Sequence, residues 1–179
     1  MKRLYSILMR WWSVVAMVVS AAMLGAAHAF ERFGGLDPCN LCLKQREVYW
    51  AALVVAASAT LWHLISRSRR STPRLAAFVL ALVFITGVIT AGFHAGGEQG
   101  WWTLPATCAA GNPSAIDYSN LAGILDGSVE IAPVTSCGDI AWSFLGLSMA
   151  AWNLIALVIL SILSLLAAKR PKDARAPRK

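Results

Sequence analysis

The feature that most constrains this chain is a set of four apolar windows, each long enough to cross a bilayer. They run from Trp11 to Phe30, Val48 to Ile65, Leu75 to His94 and roughly Phe144 to Ala168. About 20 helical residues rising 1.5 Å each cross ~30 Å of hydrocarbon. With 58% of its 179 residues apolar and only 14% charged, the chain is too greasy for an ordinary soluble domain. The windows predict an all-α membrane protein, a four-transmembrane-helix bundle forming one integral domain over residues 1–179. Its chemistry then belongs in the loops, about 31–47 and 95–143, or between the helices.

The net charge of +7 would suit a nucleic-acid binder, but its distribution argues against one. Of 16 Lys and Arg residues, 13 lie in three places: Lys2, Arg3 and Arg10; Arg67, Arg69, Arg70 and Arg74; and the tail from Lys169 to Lys179. No Lys or Arg occurs between Arg74 and Lys169. The positive-inside rule therefore puts both termini and the central loop in the cytoplasm and the other two loops outside. The tail 169–179, rich in Lys, Arg and Pro, reads as disordered. Ala27-His28-Ala29 has the small-x-small form of a signal-peptidase site. The preceding apolar run is nevertheless long enough to span, and Trp11-Trp12 suits an interface anchor, so a retained span is expected. The eight tryptophans read first as such belt residues.

All four cysteines fall in the two outer loops, two in each, as suits an oxidising compartment. The sharpest motif is Asp37-Pro38-Cys39-Asn40-Leu41-Cys42-Leu43-Lys44-Gln45-Arg46. Asp37 can cap a helix beginning at Pro38, which would leave Cys39 at a helix N-terminus favouring its thiolate. At 100° per residue Cys39, Cys42 and Arg46 share a stripe that Tyr49, Trp50 and Leu53 continue into the membrane. Arg46, one turn below Cys42, can stabilise a thiolate or hydrogen-bond an acceptor oxygen. The pair alone is equally compatible with a structural disulfide or half a zinc site. A Cys₄ zinc site usually wants a second close pair, whereas 28 residues separate Cys108 from Cys137, so no metal is expected.

Cys108 and Cys137 bracket a loop containing Gly111, Pro113, Gly123, Gly127 and Pro133, the composition of an irregular segment. A bridge there could be a staple worth about 3 to 4 kcal/mol. Two pairs in two loops on one side suggest instead a relay by thiol–disulfide exchange, one pair meeting a substrate and the other a membrane acceptor. His94, ending the third window near the depth of Arg46, is a candidate cofactor contact. His28 and His63 are weaker candidates.

Over nearly its whole length the chain resembles the DsbB family of disulfide-bond formation proteins. Three ordered blocks carry the resemblance. Pro38-Cys39-x-x-Cys42-x-x-x-Arg46 opens the second span, and Phe93-His94-x-Gly96-x-Glu98-Gln99-x-Trp101-Trp102 leads to Cys108. Trp142-x-Phe144-Leu145-Gly146-Leu147-x-Met149-x-x-Trp152 leads into the fourth span. The resemblance implies a bacterial inner-membrane thiol oxidase with periplasmic loops, whose partner is a soluble DsbA-like protein. DsbA is a strong oxidant, so its electrons need a still better sink such as a quinone. It further implies that Cys108 forms the mixed disulfide, that Cys137 resolves it towards Cys39, and that Cys42 and Arg46 face the quinone. Gln45 stands where some members have Glu.

These readings together predict a quinone-dependent protein-disulfide oxidoreductase. Its catalytic pairs are Cys39–Cys42 and Cys108–Cys137, Arg46 and His94 contact the cofactor, and ubiquinone is favoured over menaquinone. The competing reading is a non-catalytic four-span membrane protein with two structural disulfides. A vitamin K epoxide reductase-like bundle is a further rival, but its Cys-x-x-Cys usually lies near the last span.

Overall fold

The computed structural model describes residues 2–65, 74–105, 108 and 136–169. The basic segment 66–73, the tail beyond 169, and the stretch carrying Gly111, Pro113, Gly123, Gly127 and Pro133 lie outside the described residues. A short helix α1 (Lys2–Arg10) precedes four long ones: α2 (Trp12–Gly34), α3 (Asn40–Ile65), α4 (Arg74–Glu98) and α5 (Met149–Lys169). A two-stranded ribbon, β1 (Ser143–Phe144) antiparallel to β2 (Leu147–Ser148), leads into α5. The long helices contain 23, 26, 25 and 21 residues, so each exceeds the ~30 Å thickness of a hydrocarbon core.

These helices are apolar all round. Val18, Val54, Leu82, Ile89, Ile159 and Ile162 face outward, while Ala16, Ala56, Leu80, Phe84, Ala91 and Leu157 form the core. A soluble bundle would alternate an apolar stripe with a polar face; a bundle with two apolar faces belongs in lipid. Several hydroxyls within it are satisfied locally, as where Ser161 donates to the Leu157 carbonyl and Thr90 to that of Thr86, whereas the buried Ser20 hydroxyl has no partner among the described residues.

Small residues set the packing, as expected where lipid supplies no hydrophobic drive between helices. α4 lies against both α3 and α5, and α2 packs on α3. At Gly87 a side chain would come within 2.9 Å of both Val48 on α3 and Leu157 on α5, so glycine permits this three-way approach. At the end carrying the N-terminus, the Trp12 indole N–H donates to Ser164 Oγ at 3.0 Å. Trp12 is thus fully buried rather than a belt residue, whereas Trp11 remains exposed and meets His63 edge-on.

The helix ends differ from simple window edges. α2 continues past the apolar window and stops where Gly35 takes a left-handed φ of 62° and the Leu36 N–H closes onto the Phe30 carbonyl. The fourth window begins in the ribbon rather than a helix. Leu145 and Gly146 both have positive φ, as a tight two-residue hairpin turn requires. Ser148 then caps α5, its Oγ accepting the Ala151 N–H at 3.1 Å.

Candidate redox site

The helix bearing the Cys-x-x-Cys pair starts later than the sequence suggested. α3 begins at Asn40, the Cys39 carbonyl accepts the Leu43 N–H, and the Cys42 N–H points at Cys39 Sγ from 3.3 Å. Cys39 itself, not Asp37, therefore occupies the capping position, its sulfur replacing the usual hydroxyl or carboxylate oxygen. That geometry does not yield a Cys39 thiolate. The thiol donates to Cys42 Sγ at 3.1 Å and is buried, and both effects push its pKa well above the ordinary thiol value. They outweigh the one helix N–H that favours the anion.

The outer pair converges on the same point. Cys39, Cys108 and Cys137 are all buried and cluster with Cys42, Leu41 and Leu104. The Cys137 N–H donates to the Cys108 carbonyl at 3.1 Å, and the Cys137 side chain reaches that of Cys39. Two glycines make the convergence possible. Side chains at Gly96 and Gly97 would overlap the Trp102 ring and Leu104, at 2.2 and 2.5 Å. With glycine there, the chain after α4 folds back over the helix end. Trp102 stacks on Phe93 and donates its indole N–H to the Phe93 carbonyl at 3.0 Å.

His94 stands beside the pair, buried, with Nε2 3.7 Å from Cys39 Sγ and 3.7 Å from Glu98 Oε1. Its other nitrogen begins a hydrogen-bonded chain across three helices. Gln45 Nε2 lies 2.9 Å from His94 Nδ1, Asn153 Nδ2 donates to Gln45 Oε1 at 2.5 Å, and the Tyr49 hydroxyl donates to Asn153 Oδ1 at 2.5 Å. In this direction Nδ1 accepts, so Nε2 carries the proton and presents an N–H to Cys39. Both amides can turn over, and the hydroxyl can accept, so the chain can also run in reverse, with only the Tyr49 hydroxyl hydrogen then needing another acceptor.

Arg46 lies on α3 but makes its hydrogen bonds to α2. Its guanidinium donates to Glu31 and, at 3.3 Å, to the Ala27 carbonyl. Two of its donors are thus committed, which fixes the planar group on the wall of a cavity of about 540 Å³. Cys39, Cys42, Tyr49 and His94 also line this cavity, whose remaining surface is mostly apolar, including Leu24, Phe30 and Phe144. Trp50, expected on the same stripe, is instead half exposed on the outside of the bundle.

The four cysteines, Arg46 and His94 therefore lie at one end of the bundle, whereas His63 lies at the other, against Trp11. Tyr49 lies on the cavity wall, as its place on the stripe suggested, whereas no part in the site is expected from the sequence for Glu31, Asn153, Glu98 or the Gln45 amide. One signal was available: Asn153 is a polar amide in an otherwise apolar span, and such residues mark sites more often than surfaces. A cavity of this size, apolar with a few convergent donors, suits a flat ring carrying carbonyl oxygens and an apolar tail.

Comparison with known proteins agrees with this arrangement. Residues 9–167 match the family model described as disulfide bond formation protein DsbB. Disulfide bond formation protein B of Methylococcus capsulatus is 31% identical over 158 residues, covering 86% of this chain and 90% of that protein. The protein of the same name in Aromatoleum aromaticum is 28% identical over 158 residues, covering 86% of this chain and 89% of that protein. The one from Marinobacter nauticus is 27% identical over 179 residues, covering 92% and 96% of the two chains. With the match extending from the end of α1 to the last turns of α5, the chain belongs to the DsbB family of disulfide bond formation proteins.

Proposed function

We propose that the protein re-oxidises a periplasmic DsbA-like dithiol protein and passes the electrons through its two cysteine pairs to a membrane quinone, ubiquinone in preference to menaquinone. The observation that carries this reading is the clustering of Cys108 and Cys137 with Cys39 and Cys42, the latter two on the wall of an apolar cavity that Arg46 and His94 also line. Two structural disulfides would have no use for such a meeting.

In this reading a partner thiolate attacks Cys108 of the Cys108–Cys137 disulfide and releases Cys137 as a thiolate. Cys137 attacks Cys39, opening the Cys39–Cys42 disulfide and releasing Cys42. The second partner thiol then displaces Cys108, so the partner leaves oxidised; Cys108 attacks Cys137, re-forming the outer disulfide and releasing Cys39, which leaves Cys39 and Cys42 as the reduced pair. Contact between the Cys137 and Cys39 side chains suits the middle exchange. A bound quinone supplies the sink for two electrons and two protons. Arg46 orients an acceptor oxygen in the cavity, and the His94 Nε2–H steadies the Cys39 sulfur as its charge changes. The apolar walls keep water from the exposed thiolate.

The experiment is a stoichiometry. Fully oxidised protein, mixed with excess reduced DsbA-like partner and no quinone, should oxidise two partner molecules per chain, as read by alkylation of the remaining thiols. Oxidation of none would leave the cysteines structural, and oxidation of one would disconnect the inner pair.

The same reading sets the protein in the bacterial inner membrane with both termini cytoplasmic. A reporter active only outside the cytoplasm should give signal when fused at Gly123 and none at Ser71, two positions outside the described residues. The reverse pattern would overturn the orientation.

A further inference from the structure

We propose that in its dithiol state the pair Cys39 and Cys42, together with His94, forms a binding site for a thiophilic divalent cation, Zn²⁺ by chemistry, that holds the pair reduced. The three donor atoms lie within 4.8 Å of one another, with Cys39 Sγ 3.1 Å from Cys42 Sγ and 3.7 Å from His94 Nε2. Zinc–sulfur bonds of ~2.3 Å and zinc–nitrogen bonds of ~2.0 Å, set at tetrahedral angles, put neighbouring donors about 3.5 to 3.8 Å apart. The two sulfurs need only part slightly. Two thiolates and an imidazole are the donor set that selects zinc over harder cations.

The spacing of cysteines in the sequence hides this site, because its third ligand comes from α4. The hydrogen-bonded amides supply what a metal-bound histidine requires. A ligating Nε2 must be free of its proton, and Nδ1–H must then be donated to a fixed acceptor. Reversing the chain does this, freeing only the Tyr49 hydroxyl hydrogen, on the wall of the cavity, to take another acceptor. Gln45 Oε1 accepts from Nδ1–H, Asn153 Oδ1 accepts from the Gln45 amide, and the Tyr49 oxygen accepts from the Asn153 amide. Glu98, buried with Oε1 3.7 Å from the same Nε2, stands beside the fourth position. The cavity that touches all four side chains is the way in.

Binding moves no electrons. Zn²⁺ replaces the two thiol protons, which leave to solvent, and both sulfurs become ligands unable to pair with each other. A disulfide offers no thiolate, so the oxidised protein cannot hold the ion. The metal therefore opposes re-oxidation of this pair, whatever partner or acceptor the protein serves.

The test uses full-length protein in detergent carrying Cys108→Ser and Cys137→Ser, so that only the inner pair remains. After reduction and removal of reductant under argon, it is titrated with Co²⁺ and followed by thiolate-to-cobalt charge-transfer absorption. The expected result is one Co²⁺ per chain, displaced by Zn²⁺, with no band from the same protein oxidised. Because oxidised and reduced samples are one polypeptide, misfolding cannot mimic that difference. Gln45→Leu should weaken Co²⁺ binding about ten- to a hundredfold, as loss of a partner to a ligating histidine does, and His94→Ala at least as much. No band in the reduced protein, a band in the oxidised protein, or unchanged affinity in either variant would overturn the proposal.

Discussion

Replacing Cys42 with Ser will stop turnover with quinone, a loss on the order of a thousandfold or more, as expected when a nucleophile that acts as part of a unit is removed. One exchange with the partner will survive, because in the proposed relay Cys108 and Cys137 form their own pair. Cys39→Ser should behave alike, since it removes the sulfur that Cys137 touches. Cys137→Ser should instead trap Cys108 in a mixed disulfide with the partner, visible on a non-reducing gel. Rapid quench of the first exchange beside steady-state turnover separates these cases. Full turnover by any one of the variants would contradict a relay through two pairs.

The second large effect belongs to Arg46. Its guanidinium is mostly buried, pinned to Glu31 and the Ala27 carbonyl, and turned to the cavity wall. A charge-assisted hydrogen bond is worth about 1.5 to 3 kcal/mol, so Arg46→Ala should weaken quinone use by roughly ten- to a hundredfold. Arg46→Lys keeps the charge but lacks the fork needed to hold α2 and reach into the cavity together, so it should fall between Ala and wild type. The first exchange with the partner should hardly change in either variant. Apparent quinone affinity measured beside single-turnover partner oxidation reads both quantities. Equal losses in the two assays would mean a damaged fold, and no loss in either would remove Arg46 from the site.

The parts of this account visible in the sequence are those governed by local rules. Helices of spanning length followed from uninterrupted apolar runs, and the approach of Arg46 to Cys42 followed from one turn of helix. What stayed hidden depends on how the helices rotate about their axes. An amphipathic helix announces its inner face, but the membrane-crossing parts of α3, α4 and α5 are mostly apolar, and apart from Asn153 on α5 little in them marks one face as inner. Tyr49 and Trp50 were therefore placed on one stripe, although Tyr49 turns inward to Asn153 and Trp50 turns out. For the same reason Trp11 and Trp12 looked alike, although Trp12 turns into the core and bonds Ser164, 152 residues away. The start of α3 was misjudged for another reason. Asp37 and Pro38 are the better capping residues by propensity, but capping by Cys39 leaves its sulfur facing both Cys42 and His94. Local preference gives way there to the packing of the site.

The central claim is that electrons leaving the partner's thiols arrive at quinone through this protein. The direct measurement combines a catalytic amount of purified protein with excess reduced DsbA-like partner and a soluble ubiquinone analogue, excluding oxygen. Partner disulfide and quinol are followed together. The account predicts that both continue to form well beyond the amount of protein present, with one quinol for each partner disulfide. Partner oxidation that stops at the stoichiometry of the protein's own disulfides, or that proceeds without quinol, would contradict it.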